Sequence, residues 1–243
     1  DNDGFSKING VWYALALGDG IETAINYNNP NIRYGTNQAG VILKSDNGFI
    51  GERNGDYWLQ PQGVAFHHHM ELDRTDPSIL YINASKGKDE NDNPLPTGLY
   101  KVVDNGSELT ATNMDSGNKA YKFNTHAGLV LAISDNNVIR KIPTNGSGAS
   151  AISGAANIGN NVTIESIDFS ASNNDLIYVT SKGYNDTNKV FKSTDGGTSF
   201  TNISSDLPDV IINKILYQQA ANSTTLFVAT NIGVYYTIDD GQK

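Results

Sequence analysis

Three consecutive histidines, His67, His68 and His69, are the most unusual chemical feature of this sequence, and Glu71 follows two positions later. In an extended strand alternate side chains share a face, so His67, His69 and Glu71 would lie on one side. Imidazole and carboxylate groups are ligands that zinc accepts. Same-face residues of a strand are about 7 Å apart, however, which is wide for one tetrahedral ion. The pattern leaves three interpretations: a metal site, a contact to a ligand, or the polar lining of a channel mouth.

A second candidate metal site is the acidic segment 88–94. Asp89, Asn91 and Asn93 have the alternate spacing of oxygen ligands in a calcium-binding loop. Pro94 stands where such a loop has its glycine, and no glutamate occupies the twelfth position. A solvated hairpin tip is the other interpretation. Calcium is the only cofactor that this segment indicates, and we otherwise expect none.

Aromatic side chains near the start of the chain could stack on sugar rings. The best candidates are Trp12, Tyr13, Tyr57 and Trp58. Tyr57 and Trp58 fall in residues 51–63, which we expect to be an irregular loop of the kind that carries ligands. Packing between sheets is the alternative role for each of these aromatics.

Hydrolysis of a glycosidic bond needs two carboxyl groups on either side of a cleft. Six acidic residues are available, and the sequence alone does not pair them: Asp19, Glu22, Glu52, Asp56, Glu71 and Glu165. A sialidase would need an arginine cluster and an Arg-Ile-Pro motif, from which the segment 140–143 departs. We therefore exclude a sialidase. The sequence also contains no nucleophile elbow and no phosphate-binding glycine loop.

Composition and charge exclude further classes of function. The net charge is −9, and only 17 lysines and arginines are spread over 243 residues. Binding of nucleic acid or of an anionic membrane surface requires a basic face, so neither is expected. No apolar run approaches the roughly 18 residues of a membrane span. The absence of cysteine excludes disulfides and thiolate chemistry.

All of these candidates lie on an internal repeat of about 48 residues. A short apolar strand recurs with its centre at Tyr34, Tyr81, Val130, Tyr178 and Phe227. One alternating strand precedes it, and two more follow, separated by turns rich in Gly, Asn and Asp. This pattern predicts an all-β fold, a β-propeller of four-stranded antiparallel blades, with a β-sandwich as the alternative. Residues 1–243 would then form one propeller domain or propeller segment of about five blades.

A tight polar turn joins the third and fourth strands of the repeat. It is clearest at Ser193–Phe200, where glycines such as Gly197 permit positive φ angles and Asp195 can accept bonds from backbone N–H groups. The matching turns contain Asp46, Asp104 and Asp239. This segment matches the Asp-box pattern, and the chain resembles the BNR/Asp-box propellers, a group that includes sortilin-type and xyloglucanase-like proteins. The resemblance implies a structural role for these aspartates.

Two parts of the chain carry a closer resemblance. Residues 17–22 with 29–35, and residues 192–207 with 226–237, are similar to exported proteins of Bacteroidota that are cargo of type IX secretion. The resemblance implies an exported bacterial protein at an extracellular or cell-surface location. It does not imply one activity, because this fold carries many functions.

Residues 3–8 and 240–243 occupy the same phase of the repeat. The first ten residues could complete the last blade and close a five-bladed ring. Alternatively, the chain is a five-blade segment of a larger propeller, which is our expectation. Further blades or domains of the same parent chain would then be partners of this segment.

The motifs specify structure, and none of them specifies catalysis. Our first hypothesis is a non-catalytic binding or adhesive propeller whose rim contacts a polysaccharide or a protein. The second is a glycoside hydrolase of the xyloglucanase-like class that uses two carboxylates. The third is a structural scaffold with a polar rim and no concave pocket.

Overall fold

The structure is a computed structural model that describes residues 5–14, 20–37, 41–48, 57–59, 68–84, 97–126, 128–158, 162–184, 188–219 and 224–240. The regular secondary structure of these residues is β-strand, apart from two short 3-10 helices. The chain divides into two compact units, residues 1–121 and 122–243. None of the helices among the described residues has the length and apolar character needed to cross a membrane.

The described residues of the first unit form one two-stranded and two four-stranded sheets. Each sheet pairs neighbouring strands of the sequence in antiparallel fashion. The strands are β1 (Phe5–Ile8) with β2 (Val11–Ala14); β3 (Gly20–Ile25), β4 (Arg33–Asn37), β5 (Ile42–Ser45) and β6 (Tyr57–Leu59); and β7 (Met70–Leu72), β8 (Ile79–Ala84), β9 (Gly98–Asp104) and β10 (Leu109–Asn113).

In the second unit the described part of the chain forms two four-stranded sheets and one three-stranded sheet, again in sequence order. The 3-10 helices, Asp135–Asn137 and Ser153–Asn157, lie in its first sheet region. The strands are β11 (Lys122–His126), β12 (Leu129–Ile133), β13 (Ile139–Pro143) and β14 (Ser150–Ile152); β15 (Ile164–Phe169), β16 (Ile177–Ser181), β17 (Val190–Ser193) and β18 (Thr201–Asn202); and β19 (Ile212–Gln219), β20 (Thr224–Thr230) and β21 (Gly233–Thr237).

In two sheets of the second unit the second strand is buried along its whole length. All five residues of β12 and all five of β16 are buried, although their side chains alternate between the two faces. Both faces of these sheets are therefore covered. In the second unit one apolar cluster, which includes Leu131 and Phe169, joins the first sheet to the second. Another, which includes Tyr178 and Ile215, joins the second sheet to the third.

The turn between the first and second strands is capped by a side chain at a recurring position. Asn26 Oδ1 accepts bonds from the N–H groups two and three residues later, at 2.9 and 3.0 Å. Asp73 does the same at 2.8 and 3.1 Å, and Ser170 Oγ at 3.3 and 3.2 Å. Burial alone would raise the pKa of Asp73, but the bonds from Thr75, Tyr81 and the backbone outweigh it and lower the pKa. These caps fix where each hairpin turns.

The fourth strand of the first four-stranded sheet corrects an expectation about Tyr57 and Trp58. They do not lie in an irregular loop, because Tyr57–Leu59 forms β6 and pairs with β5. Aromatic residues suit an outer strand of this kind. The prediction was wrong because this fourth strand begins later in the repeat than its counterpart β18 does.

The Ser193–Phe200 turn is closed by its own side chains. Ser193 Oγ donates to Asp195 Oδ1 at 2.8 Å and accepts from Gly197 N–H at 2.9 Å. Ser199 donates to the Asp195 carboxylate through Oγ at 2.6 Å and through N–H at 2.9 Å. These bonds, that of the Ser199 hydroxyl above all, lower the pKa of Asp195 to about 2. The carboxylate therefore serves its own turn.

The matching turns vary in how closely they follow this pattern. Asp239 Oδ1 accepts a bond from Thr237 Oγ1 at 2.7 Å, as Asp195 does from Ser193. In the first turn Ser45 Oγ donates to Asn47 Oδ1 at 2.7 Å. Asn47 thus occupies the position assigned to Asp46, one residue later than predicted. Asp46 instead lies 3.0 Å from Nζ of Lys44, on the strand that directly precedes it.

Replacing Gly197 with alanine is expected to lower the free energy of unfolding by about 2 kcal/mol or more. Gly197 has a φ of +88°, and a Cβ there would lie 2.2 Å from Cγ2 of Ile152. Gly146, in the same unit, has a φ of +77° but nothing within 4 Å of a Cβ. Gly146→Ala should therefore cost about 1 kcal/mol. Urea denaturation, monitored by circular dichroism, measures the free energy of unfolding of both variants. An equal decrease for Gly197→Ala and Gly146→Ala would contradict the steric explanation.

Candidate functional site

In the first unit the His69 side chain lies between two carboxylates. Its Nδ1 is 3.3 Å from Glu22 Oε1, and its Nε2 is 3.4 Å from Glu71 Oε1. All three side chains are partly exposed, His69 by 22%, Glu22 by 34% and Glu71 by 17%. We call Glu22, His69 and Glu71 the His69 cluster. It is an acidic, solvent-accessible group of titratable side chains.

The cluster is positioned by the first strands of two adjacent sheets. Glu22 lies on β3 beside a register shift between Gly20 and Thr23, and Glu71 lies on β7 opposite Tyr81. His69 directly precedes β7, and its N–H donates to Asn83 Oδ1 at 2.5 Å. The preceding side chain points the other way, since successive side chains of a strand alternate. Accordingly, His68 is buried, with Nε2 2.6 Å from Thr36 Oγ1.

The structure brings His69 and Glu71 together, as their shared face predicts. Their side-chain atoms are much closer than the spacing of the backbone positions, because side chains lean along a strand. Glu22 comes from the neighbouring sheet and was not assigned to this group. His67 lies outside the described residues. Within the described ranges no group of three or more His, Cys, Asp or Glu side chains could hold a metal ion.

The predicted calcium loop and the predicted aromatic contacts fall on other parts of the chain. Asp89, Asn91 and Asn93 lie outside the described residues, so the calcium loop stays a prediction. Tyr57 and Trp58 are placed only as backbone, in β6. Trp12 is 64% exposed on β2, and Lys7 Nζ lies 5.4 Å from its ring centroid.

In the second unit the position equivalent to Glu71 has a structural role. Asp168 lies opposite Tyr178, as Glu71 lies opposite Tyr81. Asp168 is fully buried, and its Oδ2 accepts a bond from Tyr217 N–H at 2.7 Å, while its Oδ1 accepts one from Phe169 N–H at 2.8 Å.

Two further contacts connect the same first strands. Asp168 Oδ1 lies 3.2 Å from His126 Nε2, and Ser166 Oγ accepts a bond from Ile215 N–H at 3.1 Å. Polar side chains of one first strand thus bond the first strand of the next sheet. Sequence analysis missed this role, although the acidic residues at equivalent positions were a signal for it.

A second recurring contact, the Tyr–Lys–Asp latch, was also missed. Tyr34 and Lys44 are cross-strand partners, and both contact Asp104 of the next sheet: Tyr34 OH donates to Oδ2 at 2.6 Å and Lys44 Nζ to Oδ1 at 2.9 Å. In the second unit Tyr178 and Lys192, again partners, donate to Asp240 at 3.0 and 2.6 Å. Tyr81 and Lys101 are cross-strand partners of the same kind. The three Tyr and Lys pairs are the sequence feature from which this recurring contact could have been predicted.

The last sheet carries large apolar side chains in place of the latch. Phe227 and Tyr236 occupy the cross-strand positions of Tyr178 and Lys192. Tyr236 is 69% exposed, and three aliphatic neighbours are 67% exposed each. We call these four residues the apolar face: Ile232, Val234, Tyr236 and Ile238.

A groove opens on the other side of β21, between the second and third sheets of this unit. It has a volume of about 150 Å³ and is mainly apolar. Its walls include Ile203 and Leu207 on one side, and Leu226, Val228 and Tyr235 on the other. Ile203 and Leu207 also pack against the cluster that joins these two sheets. The groove therefore continues the core between the sheets to the surface.

No protein-family model matches this sequence, and no curated protein matches it either. Solved structures do match. The GH74 xyloglucanase from Xanthomonas campestris has a TM-score of 0.57 at 14% identity, over 90% of this chain and 35% of that one. YCF48 from Cyanidioschyzon merolae has a TM-score of 0.61 at 12% identity, over 96% of this chain and 74% of that one. A structure described as YCF48 bound to D1 peptide has a TM-score of 0.57 at 13% identity, over 95% and 69%.

These likenesses show the fold. The chain has the antiparallel sheets of three and four strands found in these β-propellers, so the predicted all-β propeller is confirmed and the β-sandwich alternative is wrong. The chain spans about a third of the length of the xyloglucanase and about 70% of that of YCF48. At these identities the fold alone is shared, and a shared propeller fold does not by itself carry an activity.

Proposed function

We propose that this chain is a non-catalytic propeller module that binds a protein partner. The apolar face carries the proposal, since its four large side chains are 67 to 69% exposed on one side of one sheet. Contiguous apolar patches on soluble proteins mark interaction sites. The centres of protein interfaces are enriched in aromatic residues and depleted in charge, as this surface is.

The chemistry of this face favours a protein over a polysaccharide. Ile232, Val234 and Ile238 have aliphatic side chains that offer no hydrogen bonds to sugar hydroxyls, and Tyr236 offers one hydroxyl. An apolar protein surface would instead cover all four. The structure of YCF48 bound to D1 peptide supports such use of a propeller, because it shows a protein of this fold with a peptide. Resemblance to exported BNR/Asp-box proteins of Bacteroidota supports an extracellular or cell-surface location.

A glycoside hydrolase is the second candidate function, and the His69 cluster favours it. Glu22 and Glu71 lie on either side of one imidazole and are partly exposed, so two carboxyl groups reach the same surface region. A pair of carboxyl groups is what such hydrolysis needs. Their contacts to His69 favour a charge network within the protein, which is why we rank this candidate second.

A double variant tests the protein-binding proposal. Tyr236→Lys with Ile238→Lys places two charges on the apolar face, and the matched control Tyr184→Lys changes a side chain that is 66% exposed elsewhere in the unit. We expect immobilised wild-type protein and the control to retain a common protein from an extract of the source cells, and the double variant to lose it more than tenfold by quantitative mass spectrometry.

Release of reducing ends from a polysaccharide panel tests the alternative. We expect no release by the wild-type protein. Release that disappears in both Glu22→Gln and Glu71→Gln would overturn the non-catalytic proposal and support the hydrolase. Equal retention of the same protein by wild type and the double variant would overturn the role of the apolar face.

A further inference from the structure

One buried asparagine side chain holds His69 beside residues 120–121 of the same unit. Oδ1 of Asn83 accepts a bond from the His69 N–H at 2.5 Å, and the Asn83 N–H donates to His69 O at 3.2 Å. The Asn83 amide Nδ2 donates to Ala120 O at 2.5 Å and to Tyr121 O at 3.4 Å. Asn83 is 4% exposed. The backbones of His69 and Tyr121 are therefore separated by no more than one amide group and two hydrogen bonds.

Tyr121 places an exposed aromatic ring at this point. The residue is 46% exposed, and Lys119 Nζ donates to its hydroxyl at 3.3 Å. The same Nζ lies 5.7 Å from the ring centroid, so the lysine contacts the hydroxyl end of the ring. The ring is thus held at that end, while much of it is open to solvent. It offers a stacking surface beside the His69 cluster.

The other side of the His69 cluster is positioned by Thr36 in a similar way. Thr36 Oγ1 accepts a bond from the Glu22 N–H at 3.1 Å and lies 2.6 Å from His68 Nε2. Thr36 is fully buried, and like Asn83 it lies two residues beyond the central tyrosine of its strand. Two buried polar side chains at equivalent positions therefore fix the backbone on both sides of the cluster. Such support pre-organises the side chains of a binding site.

Glu71 departs from the structural role that its position has in the second unit. Its counterpart Asp168 is fully buried and accepts a bond from the Tyr217 N–H at 2.7 Å. By contrast, the Glu71 side chain is 17% exposed, and its Oε1 lies 3.4 Å from His69 Nε2. Departures from a consistent structural pattern are expected at functional sites. The full burial that gives Asp168 its structural role is therefore missing at Glu71.

The groups around Tyr121 select the class of ligand. The carboxylates of Glu22 and Glu71 repel an anion, and the Lys119 ammonium at the ring repels a cation. A wholly apolar ligand would remove these groups from water without pairing them, which costs free energy. A neutral ligand with hydroxyl groups and an apolar ring face satisfies all of them. Its hydroxyls can donate to the carboxylates and accept from Lys119, while its C–H face stacks on the aromatic ring.

We propose that Tyr121 and the His69 cluster form a binding site for a neutral saccharide. One sugar ring lies against Tyr121, and its hydroxyls donate to the carboxylates of Glu22 and Glu71. The site belongs to the first unit and the apolar face to the second, so this inference goes beyond the proposed function and does not depend on it. The saccharide is bound and no glycosidic bond is cleaved, which distinguishes this site from the hydrolase candidate.

Isothermal titration calorimetry of the full chain with defined hexasaccharides tests the site. The neutral probes are the β-linked hexamers of glucose, mannose, xylose and N-acetylglucosamine. The hexamers of galacturonic acid and glucosamine provide an anionic and a cationic comparison. We expect saturable binding of at least one neutral hexamer, and binding more than tenfold weaker for both charged hexamers, because like charges within the site repel them.

Variants of the aromatic ring and of the carboxylates identify the residues that bind. Tyr121→Ala removes the stacking surface and should weaken binding more than tenfold, whereas Tyr121→Phe keeps the ring and should have a much smaller effect. Tyr184→Ala is the matched control, because Tyr184 is 66% exposed in the second unit, and it should bind like the wild type. Glu22→Gln combined with Glu71→Gln should also weaken binding more than tenfold, because hydrogen bonds to charged acceptors are the stronger ones. Circular dichroism checks that each variant is folded.

Several results would overturn the proposal. They are the absence of binding by every neutral hexamer, tighter binding of a charged hexamer, and undiminished binding by folded Tyr121→Ala. Cleavage of a bound hexamer that is lost in the glutamine variants would overturn the binding-only role and support the hydrolase. The Tyr236→Lys and Ile238→Lys double variant should bind the saccharide as the wild type does. The failure of this inference and the failure of the protein-binding proposal are therefore observed separately.

Discussion

Replacing Lys44 with methionine is expected to destabilise the first unit by about 3 kcal/mol, or roughly 150-fold in its unfolding equilibrium. The Lys44 side chain is 2% exposed and that of Asp104 is 5% exposed. Burial alone would lower the pKa of Lys44, but its bonds to Asp104 and Asp46 outweigh that effect and raise it, so the lysine is charged. The variant would leave the Asp104 carboxylate buried with Tyr34 OH but without its cation.

The second latch provides a matched control for this effect. Lys192 and Asp240 make a similar contact at 2.6 Å, but their side chains are 22% and 42% exposed. Water screens such a pair, so Lys192→Met should cost about 1 kcal/mol or less. Both tryptophans, Trp12 and Trp58, lie in residues 1–121. Tryptophan fluorescence therefore follows the first unit in denaturant, and circular dichroism follows both. An equal decrease in the free energy of unfolding for Lys44→Met and Lys192→Met would show that burial does not determine how much each contact stabilises the protein.

Replacing Asp168 with alanine should have an effect of similar size in the second unit, about 4 kcal/mol. The carboxylate is fully buried and accepts bonds from Phe169 N–H and Tyr217 N–H beside His126. Alanine would leave both N–H groups buried without these acceptors, and each such group costs about 1 to 3 kcal/mol.

Asp168→Asn is the control for that experiment. Its amide oxygen replaces one acceptor, but its NH₂ group cannot accept a bond from the second N–H. Asp168→Asn should therefore lower the free energy of unfolding by about half as much as Asp168→Ala does. Thermal unfolding by circular dichroism measures both variants. A loss for Asp168→Asn as large as that for Asp168→Ala would mean that charge, and not the number of acceptors, stabilises the first strands.

The sequence predicts the sheets well because each strand and turn is encoded locally. The turn at Ser193–Phe200 needs glycines at positive φ, and the alternation of β15 and β16 marks buried strands. Some contacts between sheets also join residues that are one repeat apart in the sequence. Glu22 and His69 are 47 residues apart, and Asp168 and Tyr217 are 49 apart, which is one repeat in each case. Polar residues one repeat apart were therefore candidates for contact.

The remainder of the site depends on details that the repeat does not encode. Register shifts occur at Gly20/Thr23 in β3 and at Ile164/Ser166 in β15. One extra residue reverses which side chains face the neighbouring sheet. The sequence alone therefore could not assign Glu22 to the His69 cluster. The repeat spacing did not indicate Asp104 as the partner of Lys44, because the two residues are separated by 60 positions rather than by one repeat.

Every described sheet pairs only strands that are neighbours in the sequence. Each hairpin therefore closes a short loop, and loop closure over short distances has a small entropic cost. Pairing between strands that are close in the sequence forms faster than pairing between distant ones. A blade can form its hydrogen bonds as soon as its own residues have left the ribosome or a membrane pore, and it then provides a surface for the next blade. The order of strands thus suits a chain that folds from one end to the other.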